Sequence, residues 1–122
     1  LPVVVVLHVN HADELGDEAR AAVARLGRSG ASLLMQTVLL RGVNDSVETL
    51  ADLFERAADC GLVPYYLHQL DRVTGAAHFE VERARGLEIV RELRRRLPGY
   101  LVPRYVEEVP GEASKRVIEN AG

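Results

Sequence analysis

The stretch Val3-Val4-Val5-Val6-Leu7 decides the fold class. A continuous β-branched run reads as a strand buried on both faces, which is the mark of a parallel sheet. Outward from it, helical and extended segments alternate. Asp13 to Arg28 reads as a helix with Leu15, Ala19, Ala22, Val23 and Leu26 inward, and Gly30 stops it. A second strand is expected over Ser32 to Leu40. Asp45 or Ser46 caps a second helix that turns Leu50, Leu53, Phe54 and Ala57 to one face, and Gly61 ends it. Val63 to Gln69 is a third strand. A polar loop with Gly75 leads to a third helix over Glu82 to Leu97, with Leu87, Val90, Leu93 and Leu97 inward. Arg94-Arg95-Arg96 falls in its last turn, a solvated end that suits the helix dipole. A last extended piece, Tyr100 to Val106, precedes Pro110-Gly111 and a polar tail.

Strands thus recur at intervals of about 30 residues, the length of a βα unit. Two α/β architectures fit, a small doubly wound sheet or a segment of a (β/α) barrel. A start inside a buried strand favours the barrel segment. At 122 residues the chain is one domain at most. With 48% hydrophobic and 27% charged residues it has enough apolar side chain to fold. The longest apolar run, Pro2 to Leu7, is far shorter than the ~20 residues of a membrane helix, and the opening residues do not read as a signal peptide. A net charge of −3 gives no global attraction to nucleic acid or to anionic lipid. Cys60 is the single cysteine, so the chain alone makes no internal disulfide, zinc cage or iron–sulfur cluster. A reducing cytoplasm is the expected setting.

In parallel α/β folds functional groups gather at the carboxyl ends of strands. Strand one ends in His8-Val9-Asn10-His11, with His8 and Asn10 on one face and His11 beyond the strand. These histidines read as hydrogen-bonded structural residues, as contacts to a ligand above the sheet, or as part of a metal site whose ligand set is not visible. Gln36 is a polar group amid Leu33, Leu34, Met35 and Val38, so it needs a partner, and a ligand is one such partner. Arg41-Gly42-Val43-Asn44-Asp45 alone reads as a capped strand-to-helix loop. On strand three His68 and Tyr66 share one face, as do Tyr65, Leu67 and Gln69. Asp71, at that strand's end, either caps the next segment or meets a cationic substrate group. The last motif is Glu107-Glu108-Val109-Pro110-Gly111-Glu112-Ala113-Ser114-Lys115, a turn whose small residues allow close backbone approach. Of 15 basic side chains only Lys115 is a lysine. Arginine replaces lysine in most ion pairs but forms no imine with an aldehyde, so Lys115 is either a chance surface residue or a Schiff-base lysine.

Taken together, His8-Val9-Asn10-His11, Gln36 with Val38 to Asp45, Tyr65-Tyr66 with Asp71, His78-Phe79, Gly99-Tyr100 with Val102-Pro103, and the Pro-Gly loop ending in Lys115 resemble the lysine 2,3-aminomutase family. The match runs in order over almost the whole chain. Tyr65-Tyr66-Leu67-His68 and Gly111-Glu112-Ala113-Ser114-Lys115 look most like the branch that makes (R)-β-lysine for modifying elongation factor P. The resemblance implies a radical S-adenosylmethionine isomerase that uses pyridoxal phosphate to move the α-amino group of lysine to the β-carbon. It implies that Lys115 forms the imine with pyridoxal phosphate and that His8 and Gln36 line the S-adenosylmethionine pocket. Asp71 would face the substrate's distal ammonium, with Glu108 where the lysine-degrading enzymes carry a second aspartate.

The resemblance also implies a fold. Residues 1–99 would be the carboxyl-terminal βα units of a partial (β/α)6 barrel, and residues 100–122 a terminal strand and the pyridoxal-lysine loop. The Cys-x-x-x-Cys-x-x-Cys signature that holds the family's 4Fe–4S cluster is absent, so the chain is expected to be a carboxyl-terminal half, inactive without the missing amino-terminal half. Ser46 stands where the lysine-degrading enzymes have a zinc-binding cysteine, so no metal is expected. So few units cannot close a barrel, and the bare edge is expected to drive homo-oligomerisation, segment swapping or pairing with the missing half. The competing readings are a doubly wound binding module using His8, Gln36 and Asp71 for a small ligand, and a metal-dependent hydrolase fragment using His8, His11 and Asp71.

Overall fold

The computed structural model describes residues 3–70, 77–108 and 115–119. The β-branched and aromatic segments form β1 (Val4–His8), β2 (Ser32–Leu39), β3 (Val63–Gln69) and β4 (Arg104–Glu107). The amphipathic segments between them form α1 (Asp17–Arg28), α2 (Val47–Asp59) and α3 (Arg83–Arg96). A two-residue strand, β5 (Arg116–Val117), follows in what reads as a polar tail; two residues carry no period to detect.

The strands stand side by side in chain order, β1-β2-β3-β4-β5. β1 to β4 are parallel, and β5 runs antiparallel to β4. The order never reverses, so there is no switch point of the kind a doubly wound sheet has. All three helices pack on one face, as crossovers of one hand in a sheet of this order require. Their buried residues, among them Val23, Leu50, Phe54, Ile89 and Leu93, join Leu33, Met35, Leu39, Leu67 and Tyr105 of the sheet in one core. Among the described residues no helix covers the opposite face, and Val4 and Val6 there are 56% and 40% exposed.

The expected helix over Asp13 to Arg28 is divided. A 3-10 turn covers Ala12–Glu14, and α1 begins only after Gly16. The cause is local capping. His11 Nδ1 accepts the Asp13 N–H at 3.1 Å, and the Glu14 carboxylate accepts the His11 N–H at 2.8 Å, closing a turn that drops Leu15 into the core. The other helix signals act as their chemistry directs. Ser46 caps α2 by accepting the Thr49 N–H at 3.2 Å, and Gly61 takes a φ of +95° to leave it. The extended piece from Tyr100 is shorter than expected, because Gly99–Leu101 is a 3-10 turn before β4.

β3 departs from simple alternation. Pro64 pairs with Met35 and Tyr66 with Gln36, so the register shifts by one residue at Tyr65. This bulge lets Pro64 and Leu67 both face the core although they are not an even number apart. Tyr65 therefore does not share a face with Leu67: Leu67 is fully buried, whereas Tyr65 is 39% exposed with its ring 4.5 Å from that of Tyr66.

Candidate functional site

Register and pleat decide which side chains meet on the uncovered face. His8 stands beside Gln36, Gln36 beside Tyr66, and Tyr66 beside Arg104. One step further along, Val38, His68, Val106 and Val117 form a second row on the same face. Val106 is fully buried yet stands apart from the helix-side core, so it floors this face. The antiparallel pairing of Val106 with Val117 and Glu107 with Arg116, carried one residue on, sets Glu108 against Lys115. Glu107 points the other way, buried and ion-paired with Arg83 of α3.

The polar groups of this face are in contact. His68 Nε2 lies 3.1 Å from Gln36 Oε1. The His68 ring meets the Tyr66 ring edge-on, with centroids 5.6 Å apart. Lys115 Nζ stands 5.3 Å from the centroid of the Tyr66 ring, within cation–π range. Burial holds the His68 imidazole below its ordinary proton affinity, the Lys115 and His8 charges push it the same way, and Glu108 opposes them. The face thus offers a primary amine, a carboxylate, an amide and a neutral imidazole over an apolar floor.

The carboxyl ends of the strands are held by amides. Asn44, buried in the strand-to-helix loop, donates to the Asn10 and Val38 carbonyls and accepts the Leu40 N–H. Asn10 Oδ1 accepts the Val38 N–H at 2.9 Å, and Thr37 Oγ1 donates to the Val9 carbonyl at 2.7 Å. Asp45 closes the same loop by accepting the Gly42 N–H. Arg41 joins it to the next loop through the His78 and Phe79 carbonyls.

The structure brings His8, Gln36, Glu108 and Lys115 to one face; Asp71 lies outside the described residues. His11 is engaged in its capping turn. No group of three or more His, Cys, Asp or Glu able to hold a metal ion occurs among the described residues. Cys60 sits at the end of α2, on the helix side, with its thiol donating to the Ala57 carbonyl. Tyr66 and His68 were legible as sharing a face, but nothing local marks them as touching Lys115 and Gln36. Arg104, set beside Tyr66, carries no motif at all.

No family model matches the chain. It is 48% identical over 119 residues to the L-lysine 2,3-aminomutase of Escherichia coli, covering 98% of this chain and 35% of that protein. With the L-lysine 2,3-aminomutase of Buchnera aphidicola it shares 42% identity over 97% of its length, and with that of Clostridium subterminale 38% over 96%. The chain spans about a third of the length of these curated relatives. Along almost its whole length, this chain is similar to one segment of the L-lysine 2,3-aminomutases, as a fragment of that family would be.

Proposed function

We propose that this chain is the carboxyl-terminal, amine-handling part of a lysine 2,3-aminomutase that converts (S)-α-lysine to (R)-β-lysine. The observation that carries the reading is the convergence of Lys115, Glu108, Gln36 and His8 on the uncovered face of a parallel sheet whose strands follow chain order. That order is what a segment of a (β/α) barrel has, and the uncovered face is what a barrel interior would be. In this reading residues 1–99 supply βα units of a partial radical S-adenosylmethionine barrel and residues 100–122 the terminal strand and lysine loop.

Lys115 presents the only primary side-chain amine of the chain, half-buried on that face, and so fits pyridoxal phosphate. When bound, the cofactor supplies an electrophilic carbonyl and an electron sink. The chain's own groups then divide the work. Lys115 is the nucleophilic amine, held over the Tyr66 ring. Glu108, with Asp71, meets the distal ammonium of lysine, since a desolvated cation needs paired charge. His8 and Gln36 offer hydrogen bonds to S-adenosylmethionine, and the apolar floor excludes water. A 4Fe–4S cluster does not fit this chain: its one cysteine lies on the helix side. The cluster ligands therefore belong to the remainder of a longer polypeptide, without which the chain is inactive; that remainder, or a second copy, covers the open face. The segments Tyr65-Tyr66-Leu67-His68 and Gly111 to Lys115 favour a role in elongation factor P modification, in the cytoplasm.

The test is chemical. The chain is mixed with pyridoxal phosphate, reduced with borohydride and mapped by peptide mass. The label is expected on Lys115 and absent from Lys115→Met. A label confined to the chain's amino terminus would overturn the assignment.

A further inference from the structure

The row from Lys115 to Tyr66 to His68 to Gln36 crosses the open face without a break. Its central member, His68, is a group to which neither the proposed amine chemistry nor the proposed cofactor contacts assign a task. We propose that His68 is a positioning residue: it fixes the Gln36 amide so that its NH2 faces the ligand, and it braces the Tyr66 ring beneath the Lys115 amine. The inference rests on Lys115 and Gln36 being the ligand-facing groups of the proposed site.

The argument is one of donors and acceptors. Gln36 Oε1, 3.1 Å from His68 Nε2, can only accept, so the proposed arrangement puts the proton on Nε2 and leaves Nδ1 as an acceptor. With its oxygen engaged, the Gln36 amide has one orientation, and its two N–H donors are turned away from His68. A free glutamine on a sheet has no such preference. The same ring meets Tyr66 edge-on, which suits the positive edge of one ring and the negative face of the other. The Tyr66 face is then available to the ammonium. The charged and titratable groups around His68 are His8 on β1, Tyr66 on its own strand, Arg104 and Glu108 on or just after β4, and Lys115 before β5. Most are cationic or neutral, so they favour the neutral imidazole that the arrangement requires.

The experiment reads the dyad directly, on the full chain, by long-range proton–nitrogen NMR of labelled imidazoles and side-chain amides. In the wild type, His68 is expected as the Nε2–H tautomer, and the two Gln36 NH2 resonances are expected at shifts displaced from those of a free glutamine side chain. In Gln36→Leu, His68 is expected to lose its single tautomer. In Gln36→Glu, the new carboxylate is expected to raise its titration midpoint by about 1–3 pH units. In His68→Phe, the Gln36 resonances collapse to those of a free side chain. A tautomer and midpoint indifferent to both Gln36 variants would overturn the proposal, as would Gln36 resonances unmoved by His68→Phe. Failure of Lys115 to take the pyridoxal label counts against the function proposed above and leaves the dyad standing, so the two outcomes separate.

Discussion

Asn44 Nδ2 donates to the Asn10 carbonyl at 2.8 Å, tying the loop after β2 to the end of β1. The same nitrogen donates to Val38 O at 2.9 Å, and its Oδ1 accepts the Leu40 N–H at 2.8 Å. One buried side chain thus satisfies three backbone groups where the strands finish, the end from which the site is built.

Removing that amide should be costly. Asn44→Ala leaves two carbonyls and one N–H without their partner, and at about 1 kcal/mol for each lost bond the chain should lose about 2–4 kcal/mol in urea unfolding. Asn44→Asp should fare no better, because a carboxylate would replace the donor that faces two carbonyl oxygens. Stability within about 0.5 kcal/mol of wild type for either variant would refute the role.

Gly86 and Tyr105 make a second sharp prediction. A Cβ at Gly86 would overlap the phenol ring of Tyr105, which lies flush against α3 and donates its hydroxyl proton to Gln69 Oε1. Gln69 in turn donates to the Val81 carbonyl at 2.6 Å. Gly86→Ala should destabilise by about 1–3 kcal/mol. Adding Tyr105→Leu should cost less than the two changes summed, because the clash and the ring leave together. Strict additivity in a thermal-melt double-mutant cycle would show that the two do not touch.

Acid stability should carry the mark of His68. Its folded proton affinity is depressed, by burial first and by Lys115 and His8 after that. The unfolded chain then binds the proton more readily, so stability falls as pH drops from the ordinary 6.5 toward the lower folded value, and is unaffected above that window. The stability difference between wild type and His68→Gln, measured by urea midpoints between pH 5 and pH 8, should therefore change only on the acid side. Wild-type stability relative to the variant should rise with pH up to about the ordinary 6.5 and then level off; a relative stability that falls with rising pH would have the wrong sign.

At the alkaline end Tyr105 is the reporter. Burial pushes its hydroxyl up to about 12, with Glu107 adding to the shift and Arg83 opposing it. The folded state keeps its proton where the unfolded state has lost it, so stability falls as pH rises past the ordinary 10 toward 12. Ultraviolet difference titration should show one late tyrosinate transition, missing from Tyr105→Phe.

The elements were legible because their signals are local. Ser46 and Gly61 bound α2 by chemistry that needs no distant partner, and the valine run marks β1 by composition, although it is not buried on both faces as expected: Val4 and Val6 are exposed. Competing local contacts explain the split before α1, where His11 and Glu14 close a turn that helical periodicity hides. The bulge at Tyr65 was not legible, because alternation counts residues and a bulge adds one that pairing with β2 alone reveals.

From the order of residues alone came the βα repeat, the absence of a cysteine triad, and the singular status of Lys115. Tertiary structure decided which of these residues meet. Register across four strand pairs set His8, Gln36, His68, Glu108 and Lys115 on one face, turned Glu107 inward to Arg83, and laid the Lys115 amine over Tyr66. A strand's own period says which residues alternate; only its neighbours in the sheet determine which side of the alternation is buried and what waits there.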